Sequence, residues 1–151
     1  MLHAVTQPLI TVCKGVFSQA GALASRNIWQ FHGGWQIWSI VGIVSVDIQA
    51  QATTCKLTAT CDALTPVDLC TTLDINGKPH GTTFHLPAAI TSPLVAAANG
   101  VATTLLTNPI YVFALGTTGF ISVTYGAASS GFVNWGMLCT QLEPSATMVD
   151  V

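Results

Sequence analysis

Charge is what this chain has least of. Four Lys and Arg and six Asp and Glu make up 7% of its 151 residues, against about 25% in an ordinary soluble domain. Half of the residues are hydrophobic. A lone soluble domain keeps both signs of charge spread over its surface and limits its apolar patches to a few hundred Å² or so. This composition implies a surface that neighbouring subunits cover in part, as in a component of a large assembly. The four fixed cations, Lys14, Arg26, Lys56 and Lys78, lie far apart in the chain. Neutralising several phosphates requires clustered cations, so nucleic acid is not an expected partner. A polybasic membrane-surface patch is excluded on the same ground.

Long apolar runs are missing as well. The most apolar stretch, Trp35 to Val46, is about a dozen residues long and is interrupted by Gln36, Ser39 and Ser45 before it stops at Asp47. A membrane helix needs roughly twenty predominantly apolar residues, and no membrane partner is expected. Ala22-Leu23-Ala24 before Ser25 imitates a signal-peptidase site. No basic residue precedes the apolar run from Leu9 to Phe17, however, and Gln7, Pro8 and Lys14 interrupt the region, so it does not read as a signal peptide. The five cysteines, Cys13, Cys55, Cys61, Cys70 and Cys139, are odd in number and lack metal-type spacing. They are expected to be free thiols of a chain made in a reducing cytoplasm. Cys55 and Cys61 would share a face of one strand but lie roughly 20 Å apart, and a bridge between different strands stays open.

No catalytic motif stands out, and the chain is not read as an enzyme. The acidic residues Asp47, Asp62, Asp68, Asp74, Glu143 and Asp150 form no recognisable pair, whereas glycosidase chemistry needs two carboxylates at controlled separation. Asp62, Asp68 and Asp74 fall at strand ends, where Asp commonly makes turns. Asp74-x-Asn76-Gly77 resembles the opening of a calcium loop, but the twelfth position is His85 where an EF-hand places a bidentate Glu. His80 and His85, five apart, would point to opposite faces of a strand, and His3 and His32 have no carboxylate or cysteine companion in sequence. Neither a cofactor nor a metal site is expected. His32, just before Gly33-Gly34, is a candidate pH-sensitive contact.

What the chain does have is strand signal. Thr, Val and Ile are abundant, Gly and Pro punctuate often, and long Glu/Lys/Arg helix faces are absent. Expected strands are Leu9 to Phe17, Trp35 to Gln49, Thr53 to Cys61, Asp68 to Ile75, Thr82 to Leu86, Val101 to Thr107, Ile110 to Leu115, Phe120 to Tyr125 and Phe132 to Leu142. Gly42 reads as a bulge or bend within its strand. Asn76-Gly77 reads as a type I′ hairpin turn, whose two central residues both need positive φ. Ser18 to Ser25 and Ala88 to Ala98 have room for one short helical turn each, Pro87 and Pro93 forbidding more in the second. The fold expected is all-β, an antiparallel β-sandwich or jelly-roll-like barrel over residues 31–151 with an N-terminal arm over residues 1–30.

Three of the four tryptophans, Trp29, Trp35 and Trp38, lie within ten residues of one another. Large aromatics build cores or anchor interfaces. Because Trp35 and Ile37 would lie on one strand face and Gln36 and Trp38 on the other, both faces carry apolar groups. Ile28, Trp29, Phe31, Trp35 and Trp38 are therefore candidate interface residues, together with Met1, Leu2 and His3 of the arm.

The segment Gly119-Phe-Ile-Ser-Val-Thr-Tyr125, followed by Ser130-Gly-Phe-Val-Asn-Trp135-Gly-Met-Leu-Cys-Thr-Gln-Leu-Glu-Pro144-Ser-Ala146, resembles the closing strands of small tailed-bacteriophage structural proteins. The long Trp35 to Asp47 strand, followed by a Thr-rich one, is similar too. The resemblance implies a capsid decoration (cement) or other virion-surface protein, β-sandwich or jelly-roll in fold and often a homotrimer. Its partners would be its own copies and the major capsid protein. Such a chain is made in the host cytoplasm and ends on the capsid surface of the virion. The segment Met1 to Pro8 would then lie across a neighbour, adding a strand to an exposed sheet edge. A receptor- or glycan-binding domain of a tail fibre or adhesin is the alternative, and it would present an exposed Trp/Tyr platform.

Overall fold

In a computed structural model the chain is described over residues 10–19, 25–62, 64–98, 109–127 and 129–151. The arm residues Met1, Leu2 and His3, and the expected strand Val101 to Thr107, lie outside them. All ten elements are strands, and no helix occurs among the described residues. In chain order they are β1 (Ile10–Gln19), β2 (Ser25–Val46), β3 (Thr54–Thr60), β4 (Val67–Asp68), β5 (Leu73–Asp74), β6 (Thr83–His85), β7 (Val95–Ala97), β8 (Ile110–Tyr125), β9 (Phe132–Gln141) and β10 (Thr147–Asp150). They join in one sheet along the path β1-β9-β2-β8-β3-β4. This antiparallel sheet curls into a half-barrel.

The spine is β2. Along one edge it pairs first with β8 and then with β6, and along the other with β10 and then β9. A strand of 22 residues must bend to stay wrapped around a core. Its register slips against β8 between Asn27 and Trp29 and between Phe31 and Gly33, and against β9 between Ile37 and Ser39 and between Val44 and Val46. Such bulges raise local twist and curl the sheet.

Several sequence expectations differ from the structure. The expected strand Trp35 to Gln49 begins earlier, at Ser25, and Gly33-Gly34 lies inside it. Gly33 takes φ 74° within the continuous strand, and a side chain there would run into Glu143 and Ala146. The 30/31 boundary between arm and domain therefore falls inside β2, which crosses it unbroken, and β1 is itself an edge strand paired with β9. Gly42 is not a bulge. It keeps regular pairing with both Trp135 and Phe84, and its missing Cβ would stand 2.8 Å from the Trp135 ring. Glycine is there to let an indole lie flat across the strand. Asn76-Gly77 does form a turn, with Lys78 N–H donating to Ile75 O (3.3 Å), but only Gly77 has positive φ (62°), so it is not type I′. No helical turn forms in the described part of residues 88–98, which bends and then enters β7.

The concave side is filled by aromatic and branched side chains. Trp29, Phe31 and Trp35 of β2, Phe84 of β6 and Trp135 of β9 are all at or below 2% exposure. Phe84 and Trp135 pack with ring centroids 6.4 Å apart and planes tilted by 31°. Burial of each such side chain contributes on the order of 2 kcal/mol, set against the conformational entropy lost on folding. The indole N–H groups of Trp29 and Trp135 have no hydrogen-bond partner among the described residues, at a cost on the order of 1–3 kcal/mol each.

Candidate interaction surface

The first half of β8 carries Tyr111, Val112, Phe113, Ala114 and Leu115 in strict alternation. Val112 sits opposite Trp35 and Ala114 opposite Gly33, and both are buried. The interior at this end is already filled by the Trp35 ring, so only the smaller side chains fit inward. The three larger ones turn out to solvent, with Tyr111 54%, Phe113 46% and Leu115 73% exposed. Leu115 is the most exposed large apolar side chain among the described residues.

Two contacts orient this stripe. Gln36, the cross-strand neighbour of Tyr111, donates its Nε2–H to the Tyr111 hydroxyl (3.0 Å). Phe113 lies over Gly34, where a Cβ would stand 3.0 Å from the ring and 3.3 Å from Leu142. Beside Tyr111, a cleft of about 260 Å³ opens between β8 and the segment following β3, with walls that include Leu64, Val67, Ile90 and Ile110. Leu64, Val67 and Ile90 are 68%, 59% and 51% exposed. At its rim Lys56 Nζ and Asp68 Oδ1 are paired at 2.8 Å, an exposed pair that adds little stability and leaves the patch without net charge.

The stripe ends in an excursion of β8. Phe31 of β2 faces Gly119 and Gly33 faces Ala114, so one β2 residue, His32, stands against the four residues 115–118. Two side chains hold the excursion. Asp62 accepts the N–H groups of Leu115 (3.0 Å, Oδ2), Gly116 (3.0 Å, Oδ1) and Thr117 (2.8 Å, Oδ1). These amides, Thr117's foremost, hold the Asp62 carboxyl below its ordinary pKa. From the other side His32 Nδ1–H donates to Thr117 O (3.0 Å), and Thr118 Oγ1–H donates to His32 Nε2 (3.3 Å). A polar notch of about 270 Å³ lies between this excursion and Glu143, whose Oε1 accepts Gly34 N–H (2.9 Å).

The residues singled out from the sequence are placed differently. Ile28, Trp29, Phe31 and Trp35, expected as interface residues, fill the chain's own core at 0–2% exposure. Trp38 is half-buried and donates its Nε1–H to Thr140 Oγ1 (3.0 Å). Met1, Leu2 and His3 lie outside the described residues. His80 and His85 do part company: His80 is exposed, whereas His85 is 6% exposed and its burial lowers its pKa. The stripe residues and Asp62 were missed. The alternation of Tyr111 to Leu115 was legible, but both faces are apolar, so only the place already taken by Trp35 decides which faces in.

Four acidic groups among the described residues serve the backbone: Asp47 Oδ1 accepts His80 N–H (2.6 Å) and Asp74 Oδ1 accepts Asn76 N–H (2.9 Å), alongside Asp62 and Glu143 as given above. No group of three or more metal-ligating side chains gathers among the described residues, and no described helix is long and apolar enough to cross a membrane. No protein-family model, curated protein or solved structure matches this chain.

Proposed function

We propose that this chain is a structural component of a virus particle, a capsid decoration (cement) protein that binds the assembled shell and bridges neighbouring copies of the major capsid protein. The observation that carries this reading is the outward stripe Tyr111-Phe113-Leu115 with its flanking apolar cleft, on a chain with only 7% charged residues. Exposed apolar area of this extent, rimmed by polar groups, is the mark of an interaction surface. The work of such a protein is mechanical: many repeated, largely uncharged contacts pin adjacent subunits against internal pressure. Assembly as a homotrimer would cover part of the same surface and shield sheet edges. The glycan-binding alternative requires an exposed Trp/Tyr platform, whereas three of the four tryptophans are in the core and Tyr111 is the one exposed Trp or Tyr among the described residues.

The test is the light-scattering mass of the purified chain, alone and with shells assembled without it. A stable trimer that saturates the shells and raises their melting temperature is expected. A monomer that ignores the shells would overturn the reading.

A further inference from the structure

Two of the free thiols, Cys55 and Cys70, lie on adjacent segments inside the core, both at 0% exposure. Thr58 of β3 faces Asp68 of β4, and Cys55 faces Leu73 of β5. Between these pairings Leu69 N–H donates to Leu57 O (2.9 Å), which sets Leu57 beside Leu69. Lys56 alone therefore faces the three residues 70–72. Cys70 is the first of these, one step along from Cys55 on the neighbouring segment. With strands about 4.8 Å apart and a rise of about 3.3 Å per residue, that offset puts the two Cα atoms about 6 Å apart, inside the span a disulfide bridges. The Cys70 Sγ reaches β3 and accepts Leu57 N–H (3.3 Å), and Leu57 is buried on the same alternation as Cys55.

We propose that Cys55 and Cys70 are a latent cystine, reduced as folded and closed into a disulfide by exchange with a low-molecular-weight disulfide such as oxidised glutathione. Entry is through Cys70. Its segment contributes only the two-residue strands β4 and β5 to the sheet, and its neighbours Val67, Asp68, Thr71 and Thr72 are exposed, so it is the part that opens locally. The Cys70 thiolate attacks one sulfur of the reagent, giving a mixed disulfide and one reduced glutathione. The Cys55 thiolate then attacks the Cys70 sulfur and expels the second glutathione. Two thiols lose their protons and two electrons pass to the reagent. Burial pushes both thiols above their ordinary pKa, and in Cys55 the neighbouring Cys70 adds to the effect. Exchange is thus slow at neutral pH and quickens as pH rises. The product ties the outer segment to β3, the strand that anchors the cleft wall. This inference does not depend on the assembly reading.

The experiment incubates the full chain with oxidised glutathione at rising pH, followed by intact mass and a peptide map under non-reducing conditions. Expected are a mass loss of two hydrogen atoms at this pair, a single cross-link joining Cys55 to Cys70, and a melting temperature several degrees higher that reverts on reduction. Half-buried Cys61 serves as the internal control, expected to carry a glutathione adduct and no cross-link. In Cys55→Ser, Cys70 should stop at the glutathione adduct; if that variant does not fold, the map of the unmodified chain decides. Cys55 still free after Cys70 has been fully converted to its adduct, or either thiol linked to another cysteine, overturns the proposal.

Discussion

The Asp62 carboxylate accepts the main-chain N–H of Thr117 at 2.8 Å, across 55 positions of sequence. It also takes the amides of Leu115 and Gly116, and so fixes the point where β8 leaves its register with β2. Asp62 itself sits at φ 49°, a conformation that Asn, Asp and Gly tolerate best. Asp62→Gly removes the acceptor and keeps the backbone easy, whereas Asp62→Ala removes the acceptor and adds strain. Faster amide exchange at Leu115, Gly116 and Thr117 is expected in both, with a lower melting temperature in Asp62→Ala than in Asp62→Gly. Asp62→Asn, which keeps one carbonyl oxygen, should fall between Asp62→Gly and the unmodified chain. Unchanged exchange at the three amides in Asp62→Gly would show that the excursion is held by something else.

The same contact sets an acid limit. The folded-state pKa of Asp62 lies below its ordinary value of 3.8, so the unfolded chain takes up the proton first as pH falls. The stability it contributes is complete well above pH 3.8 and is lost as pH drops through the folded-state value. Acid unfolding followed by circular dichroism should show a steeper loss below pH 4 for the unmodified chain than for Asp62→Gly. Parallel curves would refute the assignment.

His85 acts at milder pH. Its burial lowers its pKa from 6.5, and its Nδ1 has no hydrogen-bond partner among the described residues. Between the lowered value and 6.5 the unfolded chain binds the proton that the folded chain refuses. Stability is therefore full above about pH 6.5 and declines as pH falls through that window. Replacing His85 by Gln, which does not titrate, should flatten urea-denaturation midpoints between pH 7 and pH 5. A midpoint slope that survives the substitution places the titrating group elsewhere.

Much of the strand map was legible because it rests on local alternation between turn residues. Thr53 to Cys61 and Phe132 to Leu142 differ from β3 and β9 by one residue at each misjudged end. The expected strand Asp68 to Ile75 is reduced to the two-residue β4 and β5 near its ends, and two further differences sit at glycines. The expected strand begins at Trp35, yet β2 runs on from Ser25 and passes Glu143, Ala146 and Phe113 at Gly33-Gly34. Residues 116–119 read as a loop between two strands, yet one strand carries through because Asp62 and His32 supply from outside the hydrogen bonds that β2 does not. A tether 55 residues away has no local signature. Trp29 and Trp35 were visible as large aromatics, but no one-dimensional pattern says whether an indole is covered by its own chain or by a neighbour.

Gly42 allows a direct test of packing. An added methyl would stand 2.8–2.9 Å from the Trp135 ring and from Val133, closer than carbon atoms pack. Strand propensity by itself favours Ala over Gly by about 0.5–1 kcal/mol. Overpacking a filled core costs about 1–3 kcal/mol, so the clash should win. Gly42→Ala is expected to lower the urea midpoint, and Gly42→Ala combined with Trp135→Leu should recover part of the methyl's own cost by opening space beside it. A stabilised Gly42→Ala would mean that the indole does not lie across the strand.

Leu115 separates fold from assembly. Its side chain is 73% exposed, at the outer end of the stripe and next to amides that are already tied to Asp62. Substituting such a residue ordinarily changes folding stability by no more than about 0.5 kcal/mol. Leu115→Lys should therefore melt as the unmodified chain does. If the stripe is the surface that partners cover, burying an unpaired ammonium there is costly, and binding to shells should weaken tenfold or more, about 1.4 kcal/mol. Ser130→Lys, on an exposed residue outside the stripe, controls for added charge. Shell binding equal for Leu115→Lys and Ser130→Lys would remove the stripe from the interface, whereas loss confined to Leu115→Lys would locate the interface on the outer face of β8.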